Sequence, residues 1–243
     1  MRTLIISDVH ANLTALNAVL EDAGTFERVW CLGDIVGYGP DPNECVEQIA
    51  GLPGLHCVKG NHDAAFLGEI SAQGFNLDAR NSLRWLESEI RHDNKAWLEG
   101  LGERLTLDGV TMVHGSPRKP VWEYVIDLWV ARENMAQFET KICLVGHTHL
   151  PAMFQMQGEA LLSTRYHSLK EDELFCIDRK TILNPGSVGQ PRDRDPRAAY
   201  MIFDDGEDCW TFHRVAYDVK AVQERIRSAG LPNVHADRLA EGW

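Results

Sequence analysis

The chain has 243 residues, of which 44% are hydrophobic and 25% are charged, so it can bury one substantial core and we expect a single domain over residues 1–243. The net charge of −12 and the lack of a basic tract argue against stable binding to nucleic acid. No stretch is apolar and long enough to cross a bilayer, and the N-terminus lacks the pattern of a signal peptide. We therefore expect a cytoplasmic protein with no membrane partner.

The first third of the chain alternates short apolar strands with helices. Leu4–Ile6 forms an apolar run, and apolar residues then recur at helical spacing from Leu13 to Leu20. Val29–Leu32 repeats this pattern, and Asp41-Pro42 supplies an N-cap followed by proline at the first helical position. His56–Val58 forms a third strand. Such alternation predicts a largely parallel sheet whose ligands lie at the carboxyl ends of the strands.

The remainder of the chain is predicted to add a second sheet. A long helical region, roughly Asp78–Leu98, lies in a cap-like insertion of about residues 64–100. Asp108-Gly109 is well suited to a tight hairpin turn. The other predicted elements are strands Arg104–Leu107, Val110–Val113 and Ile142–Val145, a helix Ala131–Phe138, a mostly β region from Ala152 with turns at Gln157-Gly158 and Asp205-Gly206, and a final helix from about Asp218 to Ser228. We predict an α/β fold in which the late strands form the second sheet of a four-layer α/β/β/α sandwich.

Six cysteines are scattered singly along the sequence, several inside apolar runs and none in a Cys-x-x-Cys pair. They are Cys31, Cys45, Cys57, Cys143, Cys176 and Cys209. This distribution predicts buried, reduced thiols in a cytosolic protein.

Five short polar motifs follow the predicted strands. They are Asp8-Val9-His10, Gly33-Asp34, Gly60-Asn61-His62-Asp63, Val113-His114-Gly115 and Gly146-His147-Thr148-His149. In an extended segment, side chains two positions apart point the same way, so Asp8 with His10 and His147 with His149 would each offer two donors to one metal. Neighbouring side chains point apart, which would let Asn61 face a metal while His62 faces a substrate.

Each motif has an ordinary structural explanation when it is taken alone. An aspartate at a strand end is more often a cap or turn residue, and a single histidine such as His114 is more often a hydrogen-bonded core or surface residue. The joint occurrence of five motifs at the ends of separate strands is hard to explain by capping. Two aspartates, one asparagine and four histidines without a thiolate suit a hydrolytic Mn, Fe, Zn or Ni centre.

The motif series resembles that of the calcineurin-like metallophosphoesterases, in order and spacing, from Asp8 to about Arg192. The segments 113–117 and 184–192 are similar to the small bacterial and archaeal phosphodiesterase branch. The resemblance implies two divalent metal ions, one held by Asp8, His10 and His149 and the other by Asn61, His114 and His147. It further implies that Asp34 bridges the ions, that His62 is the general acid and that Asp63 orients the His62 ring.

The implied activity is hydrolysis of a phosphodiester bond in a small, nucleotide-like substrate by attack of a metal-bridging hydroxide. A phosphomonoesterase, including a protein Ser/Thr phosphatase, is the alternative, because it would share the metal centre. A non-catalytic scaffold ranks lowest, since no ligand and no acid is missing. A nuclease is disfavoured by the acidic composition.

Substrate contacts are predicted from chain position alone. Arg118 and Trp122 follow the His114 motif, Tyr38 follows the Asp34 motif, and Arg192 lies in a loop rich in Pro and Asp. A Trp or Tyr at the site could stack on a nucleobase, with simple packing as an equal alternative. Arg192 is the better candidate for a phosphate contact, whereas Arg194 and Arg197 fit a solvated, salt-bridged loop.

Overall fold

Two six-stranded sheets lie face to face with helices on both outer sides. The computed structural model describes residues 1–158 and 164–243, and it confirms the four-layer α/β/β/α sandwich. The strands are β1 (Arg2–Ile6), β2 (Arg28–Cys31), β3 (Leu55–Cys57), β4 (Arg104–Leu107), β5 (Val110–Val113), β6 (Ile142–Leu144), β7 (Ala152–Met156), β8 (Thr164–His167), β9 (Leu174–Cys176), β10 (Thr181–Asn184), β11 (Ala198–Asp204) and β12 (Cys209–Val215).

The first sheet has the strand order β3-β2-β1-β11-β12-β9. Strands β1, β2 and β3 are parallel, as the early β-α pattern predicts, but β11, β12 and β9 join them in antiparallel orientation. The expectation of a largely parallel sheet was therefore wrong. The alternation of strands and helices predicts the orientation of the three strands that helices connect. It does not predict that later strands join the same sheet.

The second sheet has the order β4-β5-β6-β10-β7-β8. The predicted hairpin is present, and its two turn residues have positive φ, 49° at Asp108 and 76° at Gly109, as a tight two-residue turn requires. The late strands are divided between the sheets, so they do not build the second sheet by themselves. The predicted β region after Ala152 includes residues 159–163, which lie outside the described residues.

The helices cover the outer faces of both sheets. They are α1 (Leu13–Ala23), α2 (Pro42–Ala50), α3 (Asn61–Phe66), α4 (Leu77–Glu89), α5 (His92–Glu99), α6 (Leu128–Met135), α7 (Val219–Ser228) and α8 (Asn233–Glu241). Asp41 precedes α2 but makes no side-chain cap; its carboxylate accepts hydrogen bonds from Leu13 N and Arg225 instead. Across the described ranges, no helix has the length and apolar character that a membrane span needs.

The predicted helical region of residues 78–98 is two helices, α4 and α5. Ile90 and Arg91 have extended backbone between them, with ψ of 131° and 148°, so the helix cannot continue. Two pieces near the site were not predicted as helices. Residues 61–66 form α3, which begins inside a polar motif, and α8 follows α7 at the C-terminal end.

The core has three main layers of buried side chains. Trp30, Leu144 and Trp210 lie among the residues packed between the two sheets. A second cluster, which includes Leu16 and Ile49, packs the first sheet against α1 and α2. The third contains Phe138 and packs the second sheet against α6. Burial of these large side chains, at about 1.5–3 kcal/mol each, fixes the two sheets together, so their strand ends meet at one edge.

The expectation of six reduced thiols was wrong for two of them. Cys176 and Cys209 face each other across β9 and β12 with their Cα atoms 4.5 Å apart, and they form a disulfide. The pairing of these antiparallel strands brings the two residues together, although they are far apart in the sequence. The other four cysteines are free and buried, as predicted.

Candidate metal centre

The predicted ligands converge at the edge where the strands of both sheets end. Asp8, Asp34, Asn61, His114 and His147 each follow a strand closely, and all five are buried. The two sheets therefore contribute to one site. No residue of the predicted ligand set lies elsewhere in the fold.

The backbone at these positions is not extended, contrary to the geometry expected from the sequence. Asp8, His10 and Asp34 have φ of 55°, 47° and 52°, and His147 and His149 have φ of 64° and 58°. Such left-handed conformations are uncommon for residues other than glycine and concentrate at functional sites. The side chains converge because the backbone turns sharply at each of them, which the alternation of an extended strand does not describe.

A first group of donor atoms comes from Asp8, His10 and His149, which lie within 4.8 Å of one another. The Asp8 Oδ2 atom accepts hydrogen bonds from Ser7 Oγ and His147 N. Its Oδ1 atom is buried, has no hydrogen-bond partner in residues 1–158 and 164–243, and lies 3.3 Å from His149 Nε2. The His10 and His149 Nε2 atoms face each other at 3.1 Å. An orphaned carboxylate oxygen beside two ring nitrogens fits a cation.

A second group comes from Asp34, His114 and His147. The Asp34 Oδ1 atom accepts a hydrogen bond from His62 N, so Oδ2 is left to face His114 Nε2 at 3.3 Å and His10 Nε2 at 3.6 Å. Asn61 Oδ1 lies 2.9 Å from His114 Nε2. Asp34 therefore faces both groups of donors.

Backbone carbonyl groups set the direction in which each imidazole presents its lone pair. The Nδ1 atoms of His10, His114 and His149 lie 3.3, 2.8 and 2.5 Å from the carbonyl oxygens of Val36, Leu32 and Gln190. Since a carbonyl can only accept, each Nδ1 carries a proton, and Nε2 is the ring atom that faces the cluster and would bind a metal ion. His147 is reversed, because its Nε2 lies 3.2 Å from the Trp122 carbonyl oxygen and Nδ1 is left for the cluster.

The electrostatics of the cluster also fit a bound cation. Burial raises the pKa of Asp8 to about 7 and lowers that of His147 to about 3. Burial alone would lower the pKa of His114, but the Asp34 and Asp8 carboxylates raise it to about 9. The carboxylates thus hold one positive charge among rings that are otherwise neutral. A divalent ion binds neutral imidazoles and carboxylates, so an ion that binds His114 would displace the proton that the carboxylates hold there.

His62 lies beside the first group, with a ligand atom within 4.8 Å of those of His10 and Asp34. Its Nδ1 atom is buried and has no hydrogen-bond partner among the described residues. Burial lowers the pKa of His62 to about 4, against attraction from Asp34.

We expected from the sequence that Asp63 orients the His62 ring, but its carboxylate has other partners. Its carboxylate accepts hydrogen bonds from the backbone N–H groups of Asp34 at 2.9 Å, Ile35 at 3.0 Å, Val36 at 3.2 Å and Gly60 at 2.9 Å. Helix α3 begins at Asn61, so Asp63 is the third residue of its first turn. A side chain at this position points back toward the start of the helix and the loop beside it. Asp63 therefore fixes the loop that carries Asp34.

A cavity of about 530 Å³ opens onto the site. Of the predicted substrate contacts, Tyr38, Trp122 and Arg192 line it, together with Asn61 and His62. Arg118 is not among its lining residues, because its guanidinium pairs with the carboxylates of Glu123 and Glu133. A larger, mostly apolar cavity of about 650 Å³ next to α6 contains none of the candidate ligands.

Several residues that line the cavity were not singled out by the sequence. Phe75, Asn76 and Ala79 reach the cavity from the turn before α4 and from its first residues, and Arg238 reaches it from α8. They belong to no motif, and only tertiary packing brings them to the strand ends. An amphipathic pattern could have predicted α8, but not its position.

The fold and the gathered donors define an α/β sandwich protein with a candidate metal site at the strand ends. The sequence profile of the calcineurin-like phosphoesterase superfamily domain matches residues 1–208. The chain is 39% identical to the uncharacterized protein MJ0912 of Methanocaldococcus jannaschii, over 98% of this chain and 97% of that protein. It is 46% identical to a metallophosphoesterase from Sphaerobacter thermophilus, whose crystal structure it matches with a TM-score of 0.91 over 100% of this chain and 99% of the other.

The hypothetical protein PH1004 from Pyrococcus horikoshii has the same fold, with a TM-score of 0.79 at 20% identity over 100% and 98% of the two chains. The chain belongs to the calcineurin-like phosphoesterase superfamily and is a metal-dependent phosphoric ester hydrolase.

Proposed function

We propose that the protein is a phosphodiesterase that binds two divalent metal ions and hydrolyses a small, nucleotide-like ester. The observation that carries this proposal is the position of Asp34, whose Oδ2 atom faces His10 of one donor group and His114 of the other. A single carboxylate between two groups of nitrogen and oxygen donors is the arrangement that two neighbouring ions need. An isolated ion would leave one group without a function.

Each donor group would hold one ion. Asp8, His10 and His149 would bind the first, while Asn61, His114 and His147 would bind the second, with Asp34 shared between them. The chemistry that divalent ions supply in such a site is Lewis acidity toward phosphate oxygens and a lower pKa for coordinated water. The donors are nitrogen and oxygen only, which supports Mn, Fe, Zn or Ni as the metal.

His62 is proposed to protonate the leaving oxygen. It lines the cavity and lies beside Asp34, so a phosphate ester bound at the ligands would meet its ring. The negative charge of that ester would favour the imidazolium form of His62 and so oppose the effect of burial, which lowers its pKa. Protonation of the leaving group is typically worth about 10²–10⁴-fold in rate.

The walls of the cavity support a small substrate with a planar group. The rings of Tyr38, Phe75, Trp122 and Tyr124 line it, and the Phe75 and Trp122 centroids are 5.0 Å apart. Aromatic side chains of this kind stack on nucleobases. Arg192 is proposed to contact the phosphate, since it lines the cavity and its backbone N–H donates to the carbonyl oxygen of the candidate ligand His149 at 3.3 Å. Arg118 is not included, because two carboxylates already bind it.

The cytoplasm is the proposed location, as the four buried free thiols suggest. The Cys176–Cys209 disulfide is the feature that argues for an oxidising environment. Labelling of free thiols in the protein isolated from cells and then denatured would decide between the cytoplasm and an oxidising compartment. A cytosolic protein should give six reactive thiols, and a protein with the disulfide should give four.

The test is metal analysis combined with activity on a diester and a monoester. We expect about two equivalents of metal and a higher kcat/KM for bis(4-nitrophenyl) phosphate than for 4-nitrophenyl phosphate. Asp34→Asn should lose metal and activity together. His62→Ala should keep the metal and lose about 10²–10⁴-fold in kcat on an alkyl ester, whose leaving group needs a proton.

His92→Ala is the matched control, because the His92 side chain is 95% exposed on α5. It should leave metal content and rate unchanged. A preference for the monoester would favour a phosphomonoesterase. One equivalent of metal in an active enzyme would overturn the two-ion site, and unchanged turnover of the alkyl ester by His62→Ala would overturn the role of that residue.

A further inference from the structure

Helix α8 lies beyond residues 1–208, which the family profile matches, yet its Arg238 side chain lines the substrate cavity. We propose that Arg238 binds a second oxyanion, a carboxylate or a phosphate, on the part of the substrate that does not react. This inference rests on the proposed phosphodiesterase activity and defines its substrate class. The preferred ester would carry one negative charge at the reacting phosphate and another at a distance from it.

The charges that line the cavity are unusual for this protein. The chain has a net charge of −12, but the described residues that line the cavity include two arginines, Arg192 and Arg238, and no carboxylate. Its volume of about 530 Å³ is in the range of ligand pockets, about 300–1,000 Å³, and exceeds what a phosphoryl group alone would fill. The cavity therefore suits an anionic molecule larger than phosphate.

Arg238 has no anionic partner among the described residues, and its Nε atom is buried without a hydrogen bond. The nearby Arg227 on α7 differs, because it pairs with Asp237 at 2.9 Å. A buried guanidinium donor without an acceptor is costly, and an incoming oxyanion would satisfy it. The same argument applies to Arg192, whose Nε atom is buried and has no acceptor in the part of the chain that the structure describes.

The two arginines serve different parts of the cavity. The backbone N–H of Arg192 donates to the carbonyl oxygen of the candidate ligand His149 at 3.3 Å, and its guanidinium lies 5.9 Å from the Tyr38 ring centroid. Arg238 instead belongs to α8, and its guanidinium lies beside the C-terminal ring of Trp243. Arg192 is therefore placed for the reacting phosphate, and Arg238 is placed for a group farther from the metal ligands.

Contacts with the rest of the protein hold Arg238 in position before a substrate binds. Its guanidinium lies 5.7 Å from the ring centroid of Trp243, and that ring also lies under Arg194 at 5.1 Å. The Arg194 N–H group donates to the Gly242 carbonyl at 2.8 Å, which joins the end of α8 to the loop of Arg192. The buried ring of His235 lies 4.6 Å from that of Tyr38, a second wall of the cavity. A side chain ordered in advance costs less entropy on binding.

The test uses three diesters that release 4-nitrophenolate. They are 4-nitrophenyl phenyl phosphate and its derivatives with a carboxylate or a phosphonate on the phenyl ring. We expect the wild type to prefer one or both charged esters by about tenfold in kcat/KM. Arg238→Ala should lower kcat/KM for the preferred ester with a charged ring by about 10- to 100-fold, mainly through KM. The kcat/KM for the ester with the unsubstituted phenyl ring should stay within about twofold. The two charged arms show whether carboxylate or phosphate is preferred.

Arg238→Lys should restore part of the preference, and Arg227→Ala is the matched control, which should change none of the three rates. Arg238→Gln, which keeps a polar side chain, is the second variant if Arg238→Ala does not fold. The inference would be overturned if the wild type hydrolysed the esters with charged and uncharged rings at equal rates, or if Arg238→Ala lost the same factor on all three. Either result would leave the proposed phosphodiesterase activity valid. Absence of turnover of every diester by the wild type would overturn the proposed function itself.

Discussion

Replacement of Asp63 by Asn removes charge from the residue that fixes the Asp34 loop. The carboxylate accepts four backbone N–H groups, those of Asp34 and Gly60 on Oδ2 and those of Ile35 and Val36 on Oδ1. The carboxamide keeps one oxygen, so two of the four hydrogen bonds are lost. Its NH₂ group would then point at two other donors.

The size of the effect follows from these bonds. Hydrogen bonds to a charged group contribute about 1.5–3 kcal/mol each, so loss of two costs about 3–6 kcal/mol. Burial raises the pKa of Asp63 to about 6, so removal of the buried charge offsets part of this cost, and Asp63→Asn should lower the free energy of unfolding by about 1–3 kcal/mol at pH 7.5. Loss of a residue that orients a metal ligand typically weakens metal affinity by about 10- to 100-fold. Both effects should occur together, since Asp34 depends on this loop.

Urea unfolding at pH 7.5 and isothermal titration with Mn²⁺ measure the two quantities. Asp93→Asn is the control, because Asp93 also lies in the first turn of a helix but its side chain is fully exposed. It should change the stability by less than about 0.5 kcal/mol. If Asp63→Asn is as stable as the wild type or binds Mn²⁺ with unchanged affinity, the carboxylate does not hold the loop as argued.

Three further outcomes follow from other contacts. Gly189→Ala should lower stability by about 3 kcal/mol and weaken metal binding in the same titration, because a Cβ there would lie 1.8 Å from the Val9 carbonyl oxygen; Gly51→Ala, with only ordinary contacts, should not. Although burial opposes it, hydrogen bonds from Arg118, Asn134 and Ser116 lower the pKa of Glu123 to about 2, below the unfolded value of 4.5. Glu123→Gln should therefore cost about 1–2 kcal/mol above pH 5, after allowance for solvent screening, and this difference in urea unfolding should disappear as the pH falls from 4.5 toward 2. Reduction of the Cys176–Cys209 disulfide, which spans 33 residues, should lower the free energy of unfolding by about 3–4 kcal/mol, and Cys176→Ser should behave the same with or without reductant.

The sequence predicted the residues of the site better than their geometry. The convergence of Asp8, Asp34 and Asn61 follows from the parallel pattern of β1 to β3, because all three lie at the carboxyl ends of these strands. His114 and His147 follow strands of the second sheet, and that pattern does not give the position of one sheet relative to the other. The conformations of the ligands do not follow from it either, because the left-handed backbone at residues such as Asp8 and Asp34 is imposed by neighbouring loops. The role of Asp63 was missed for the same reason, since a helix start was not recognised inside a polar motif.

Features that depend on distant pairing could not be predicted from local patterns. The Cys176–Cys209 bridge requires β9 and β12 to be neighbours, and the position of Arg238 requires α8 to pack beside Tyr38. Neither contact leaves a periodic signal in the sequence. Arg118, by contrast, was chosen from its position after His114, and its nearby carboxylates were not considered.

The place of β1 in the first sheet has a consequence for biosynthesis. This strand lies between β2 and β11, and Arg2 is opposite Asp204, so β1 pairs with a strand that leaves the ribosome much later. Until then one edge of β1 lacks its partner and offers unpaired N–H and C=O groups to other chains. The nascent polypeptide should therefore remain protease-sensitive and prone to association until translation has passed β11.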